Sequence, residues 1–151
     1  MGYNGGRFSG IAFTAERTLI RWGAPYLTTS HRPEGYAEQS GSIVHGALDL
    51  AGLERRVLLW NVVPAHPFRP GKALSNRTPT AEELRLGAEP LAELIGLSRA
   101  SGVVAVGRSA ERTLAWLEIP TLACLRHPAN GGATAFRQGL AELPSVPVLE
   151  P

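Results

Sequence analysis

The stretch whose reading decides the fold is Val57-Leu58-Leu59-Trp60-Asn61-Val62-Val63-Pro64-Ala65-His66-Pro67-Phe68-Arg69-Pro70-Gly71-Lys72-Ala73-Leu74-Ser75-Asn76-Arg77-Thr78-Pro79-Thr80. It opens on an apolar run, 57–60, of the kind that fills a strand buried on both faces. An amide, Asn61, stands where that strand should end. The loop behind it holds Pro64, Pro67, Pro70, Gly71 and Pro79, too many breakers for the interior of a helix or sheet. At Thr80 a helix should open, with Glu83 three residues on to close a capping box. Strand, terminal polar residue, long loop and helix is the order in which open α/β sheets present a ligand site. The same spacing also suits an ordinary crossover in which Asn61 merely caps a turn.

Working outward, the N-terminal side reads as a Gly-rich loop over 2–14, a helix over 14–22 capped by Thr14 and ended by Gly23 and Pro25, a mobile polar loop over 24–40, and a helix over 42–51 stopped by Gly52. On the C-terminal side a helix over 81–97 carries an internal Pro90 that should kink or break it. A buried strand over 102–106 ends at Gly107-Arg108, and Ser109 caps a helix through 117. A third strand over 121–125 ends at Arg126-His127-Pro128, and Asn130-Gly131-Gly132 leads to a helix over 134–143. Residues 1–143 thus read as a single domain and 144–151 as a Pro-rich tail. Alternating strands and helices imply an α/β three-layer sandwich with a short parallel sheet. Parallel strands end on one edge, so Asn61, Gly107-Arg108 and His127 should converge there.

Composition narrows the function classes. A chain of 151 residues can bury a real core. No apolar run approaches the roughly 20 residues of a membrane span, and the first residues lack the pattern of a signal peptide, so a cytoplasmic protein without a membrane partner is expected; a monomer is expected as well. One cysteine, Cys124, excludes an internal disulfide and a Cys-rich metal or cluster site. His45, His66 and His127 have no ligand spacing, so neither a metal nor a cofactor is expected. The net charge is only +2, but fourteen of the fifteen basic residues are arginine, which suits bidentate contact with phosphate. GC-rich codon usage would give the same bias.

Four stretches together resemble the uracil-DNA glycosylase superfamily, over most of the chain: Ser9-Gly10-Ile11-Ala12-Phe13-Thr14-Ala15-Glu16-Arg17, Trp60-Asn61-Val62-Val63-Pro64, Ser75-Asn76-Arg77-Thr78-Pro79-Thr80, and Arg126-His127-Pro128 with its Gly-rich loop. The resemblance implies a DNA-repair hydrolase that flips uracil out of the duplex and cuts its N-glycosidic bond. By the same resemblance, Phe13 stacks on the flipped base, Asn61 pairs with the uracil edge, and His127 stabilises the leaving uracil. Gly2 and Tyr3 match the end of the family's first motif. Arg77, Arg126, Asn130, Gly131 and Gly132 match its DNA-contacting positions, with residues 129–133 in the place of the minor-groove wedge. A wedge usually presents a bulky apolar tip, and this loop has none.

Departures from the family pattern refine the expectation. Ala65 stands where the iron–sulfur branch has a cysteine, and the Arg-Arg-Ile-His insertion of the covalently trapping branch is missing. The family's first strand, with the acid or amide that positions water, would precede Met1, so Met1 is expected to be an internal methionine of a longer frame and the 151-residue chain inactive and poorly folded. Two other readings suit the residues: a non-catalytic nucleic-acid-binding relative, and a flavodoxin-like nucleotide or phosphate binder using Gly107-Arg108-Ser109.

Overall fold

A computed structural model describes residues 6–23, 25 and 27–144; Gly2, Tyr3 and the tail from 145 onward lie outside the described residues. The chain forms two compact units, 1–79 and 80–151. Among the described residues no helix is long and apolar enough to cross a membrane.

Among its described residues the first unit has three helices and long connections. Helix α1 is Gly6–Ser9, α2 is Glu16–Arg21 and α3 is Gln39–Leu50. Thr14 does not cap α2: Ala15 is the cap residue and makes no side-chain cap bond. The Thr14 hydroxyl is buried and donates instead to the Ala12 carbonyl at 3.0 Å. Helix α3 starts three residues before the expected Ser42, because Glu38 already has extended cap geometry. Its inward side, Val44, Ala47 and Leu48, forms the core of this unit with Ala12, Ala15, Leu19 and Val63.

The apolar run 57–60 is not a strand. Val57 is 39 %, Leu58 62 % and Trp60 41 % exposed. A central parallel strand is held by hydrogen bonds to neighbours on both sides; no strand among the described residues pairs with this run. Apolar composition made it look buried, yet pairing, which is non-local, decides whether such a run is a strand.

The second unit contains α4 (Ala81–Ser98), β1 (Val104–Val106), α5 (Arg108–Trp116), β2 (Ala123–Leu125) and α6 (Ala133–Ala141). At the start of α4 the capping box is complete: the Glu83 amide donates to Thr80 Oγ1 at 3.2 Å, and the Thr80 amide donates to the Glu83 carboxylate at 2.8 Å. The helix runs unbroken through Pro90. Leu86, whose carbonyl loses a donor to the proline, is exposed, so water can serve it. Strands β1 and β2 pair in parallel, Val104 with Ala123, Ala105 with Cys124 and Val106 with Leu125. Parallel neighbours need a crossover, and α5, packed on β1, supplies it. Helix α6 packs on β2 and α4 on α5. Ala105, Leu114, Leu125, Phe136 and Leu140 fill the space between. Ser109 lies inside α5, whose cap residue is Gly107. The chain is therefore α/β with a short parallel sheet of two strands among the described residues, not three.

Candidate active site

In the second unit the site grows from the ends of the two strands. The Gly107 amide donates to the Leu125 carbonyl at 2.8 Å, carrying the ladder one step past β1. Gly107 has φ +84°, and a Cβ there would lie 3.1 Å from the His127 Cβ. A glycine is thus needed both for the turn and for the close approach of His127. Residues 129–132 turn with positive φ at Asn130 and Gly131, closed by the Gly132 amide on the Ala129 carbonyl at 3.1 Å, the dihedral signs of a type I′ turn. Gly132 is buried, and a Cβ on it would come within 2.0 Å of the His127 carbonyl. It makes room for the His127 backbone rather than presenting a surface. Asn130, Gly131 and Arg126 are exposed.

The His127 ring has one nitrogen assigned by its partner. The Ala129 backbone amide donates to Nδ1 at 3.1 Å, so Nδ1 must be the unprotonated nitrogen and the ring proton sits on Nε2. Burial, with Arg126 beside it, holds the imidazole below its ordinary pKa. The side chain is a neutral N–H donor at neutral pH.

In the first unit the loop before α2 holds Phe13 at φ +51°, a region costly for an aromatic residue and kept only where the surroundings impose it. Ser9 Oγ accepts from the Ile11 amide at 3.1 Å and donates to the Thr14 carbonyl. Helix α3 presses from the other side: a Cβ on Gly41 would lie 2.3 Å from the Phe13 carbonyl. One turn later His45 Nε2 meets Thr14 Oγ1 at 3.0 Å. Because the Thr14 hydrogen goes to Ala12, Nε2 of His45 must donate. Its Nδ1 lies 3.7 Å from the Glu54 carboxylate, and Trp22 packs edge-on at 5.1 Å. Burial lowers the His45 pKa, and Arg21 adds to this, against the opposing pull of Glu54 and the Phe13 carbonyl.

Glu16 is the organising residue that the sequence reading did not single out. It is 3 % exposed. Its Oε1 accepts from the amides of Thr29 at 2.7 Å and Ser30 at 2.9 Å, and its Oε2 from the amide of Tyr36 at 3.0 Å. The polar connection expected to be mobile forms no element over 27–38 but is tethered by this carboxylate, by Arg17 through the Glu34 and Tyr36 carbonyls, and by the Thr29 hydroxyl on the Phe8 carbonyl. Burial would raise the Glu16 pKa; the donors of Ser30, Tyr36 and Thr29 outweigh it and hold it low.

Asn61 is half-buried. It does not end a strand, so the expected convergence of three strand ends is met within the described residues only by Gly107 and His127. Arg77, expected at the DNA, turns inward on its own loop: Nε donates to the Phe68 carbonyl at 3.0 Å and Nη1 to that of Thr78 at 3.1 Å. Phe13, Asn61 and Arg77 belong to the first unit, and Arg126, His127 and residues 130–132 to the second. Among the described residues no group of three His, Cys, Asp or Glu could hold a metal ion.

The family model described as "Uracil DNA glycosylase superfamily" matches residues 4–143. The chain belongs to the uracil DNA glycosylase superfamily. The match runs through both units and takes in Phe13, Asn61 and His127. At the level of this superfamily the domain is a glycosylase-type hydrolase, and DNA is the partner its family acts on. Neither the comparison with curated proteins nor that with solved structures finds a match.

Proposed function

We propose that this chain excises uracil from DNA, in place of the inactivity expected from its missing first motif. The observation that carries the reading is the tautomer of His127, a neutral ring with its proton on Nε2. The uracil nucleotide leaves the base stack at a cost of a few kcal/mol. Phe13 stacks on the extruded ring, an interaction worth about 1–3 kcal/mol. The Asn61 amide accepts from N3–H and donates to O4, a pattern cytosine cannot offer. As the C1′–N1 bond breaks, its electron pair passes to the base, and charge collects on O2. His127 Nε2–H donates there, and a preorganised donor of this kind is worth ~10²–10³ in rate. Water adds to the sugar cation at C1′, and the proton it loses neutralises the uracil anion, leaving free uracil and an abasic site. Arg126 and the 130–131 turn, exposed beside His127, serve the phosphates.

The test is release of free uracil from a uracil-containing oligonucleotide, with alkali cleavage at the abasic site. His127→Ala should slow release ~10²–10³-fold. DNA binding with no abasic product would replace this reading by that of a non-catalytic DNA-binding relative.

A further inference from the structure

We propose that the turn at residues 68–74 is a second DNA-contacting element, in which Arg69 and Lys72 hold phosphates and Phe68 stacks on a base unpaired by the extrusion. The choice of DNA as partner rests on the proposed function. Three independent observations carry the placement.

The turn is braced. Pro70 and Gly71, the latter at φ +70°, stand between Arg69 and Lys72, and the Lys72 amide donates to the Arg69 carbonyl at 2.9 Å, as in a type II turn. Ser75 Oγ accepts from the Arg69 amide at 3.0 Å and donates to the Lys72 carbonyl at 2.7 Å. Arg77 clamps the base of the turn through its amide on the Pro67 carbonyl at 3.2 Å and its Nε on the Phe68 carbonyl. His66 Nε2 and Asn76 Oδ1, 3.1 Å apart, close it below. A projection already fixed in this way loses little conformational freedom on docking.

The turn is also apolar and open. Phe68 is 46 % and Leu74 63 % exposed, and Arg69 and Lys72 beside them are exposed as well. The other turn matched to DNA, 129–133, consists of Ala, Asn and Gly and offers nothing to insert between bases. Finally, the charge is concentrated here. Residues 55–79 hold five of the fifteen basic residues and none of the thirteen acidic ones, so the rest of the chain is net −3 although the whole is +2. Five basic residues with no acid among them make this segment attractive to a polyanion.

Binding to a fluorescent duplex carrying one uracil, with 2-aminopurine beside the uracil's partner, tests the proposal across a salt series. Arg69→Ala with Lys72→Ala should weaken binding and make the slope of log K against log salt shallower by about 1.8, at ~0.9 for each lost phosphate contact. Phe68→Ala should keep the wild-type salt slope, weaken binding about 5- to 150-fold from lost stacking, and abolish the 2-aminopurine signal; Phe68→Trp should restore both. Circular-dichroism melts should coincide for all variants, since every altered side chain is exposed. Wild-type affinity and slope in the variants, or no DNA binding by the unaltered chain, would overturn the proposal. Uracil release measured on the same samples separates the two readings. Turn-dependent binding without release removes the glycosylase reading alone. Release with turn variants that bind normally removes this inference alone.

Discussion

His127 works through one backbone amide. Protonating Nδ1 would set two donors, that nitrogen and the Ala129 N–H, against each other. Burial and Arg126 oppose the charge as well. The excision rate should therefore stay level as pH falls below the ordinary imidazole pKa of 6.5 and drop only below the lowered value. A single-turnover pH profile checks this, and a rate already halved at 6.5 would overturn it. At Asn61, Asn61→Asp should weaken selectivity for uracil, because a carboxylate accepts from N3–H but cannot donate to O4; competition with cytosine-containing DNA reads it out. Glu16 offers a sharper stability test. Glu16→Gln leaves an amide NH₂ facing either the Thr29 and Ser30 amides or that of Tyr36. Each charged hydrogen bond lost costs about 1.5–3 kcal/mol, which urea unfolding would resolve. The position of His127 just past a strand was legible because a short local motif marks it. Glu16 was not: an acid in the first turn of a helix is commonplace, and its partners lie 13 to 20 residues away.

Elements specified by neighbouring residues were legible, and those specified by distant ones were not. Thr80 and Glu83 stand three residues apart and make the expected capping box. Thr80→Ala should cost about 1 kcal/mol. The βαβ unit over 104–125 was read correctly because its strands and helix differ in local pattern. The run 57–60 has the same composition as those strands, but composition cannot supply a pairing partner. Helix α3 illustrates the other limit. Its expected start at Ser42 hid Gly41 from notice, though Gly41 is the contact on which Phe13 rests. Gly41→Ala suits helix propensity by about 1 kcal/mol, yet its Cβ would need the place of the Phe13 carbonyl. The variant should be destabilised despite the better helix former, and should lose affinity for uracil-containing DNA as Phe13 shifts. A more stable protein with unchanged affinity would show that α3 does not position that loop.

Across the whole molecule, two histidines shielded from solvent, His45 fully and His127 in part, should make stability depend on pH in a defined sense. His45 in the first unit and His127 in the second both have folded pKa values lowered chiefly by burial. Below 6.5 the unfolded chain takes up protons at these rings that the folded chain refuses, so stability falls with falling pH until the lowered values are reached. Above 6.5 their contribution is fully present. Glu16, held low by its donors, contributes fully above 4.5 and is lost only in stronger acid, through its folded pKa. Glu38, raised by burial despite the Gly6 amide on its carboxylate, works against the histidines just above 4.5, where the folded chain holds the extra proton. The histidine effect is therefore cleanest near 6.5. The urea midpoint should rise from pH 5.5 to pH 7.5, and His45→Gln should reduce the rise. A glutamine Nε2–H can replace the donor to Thr14 Oγ1 but cannot titrate, so packing is kept while the protonation difference is removed. An unchanged rise in His45→Gln would place the pH dependence elsewhere, and a flat midpoint in the unaltered chain would mean that neither ring is held neutral by the fold.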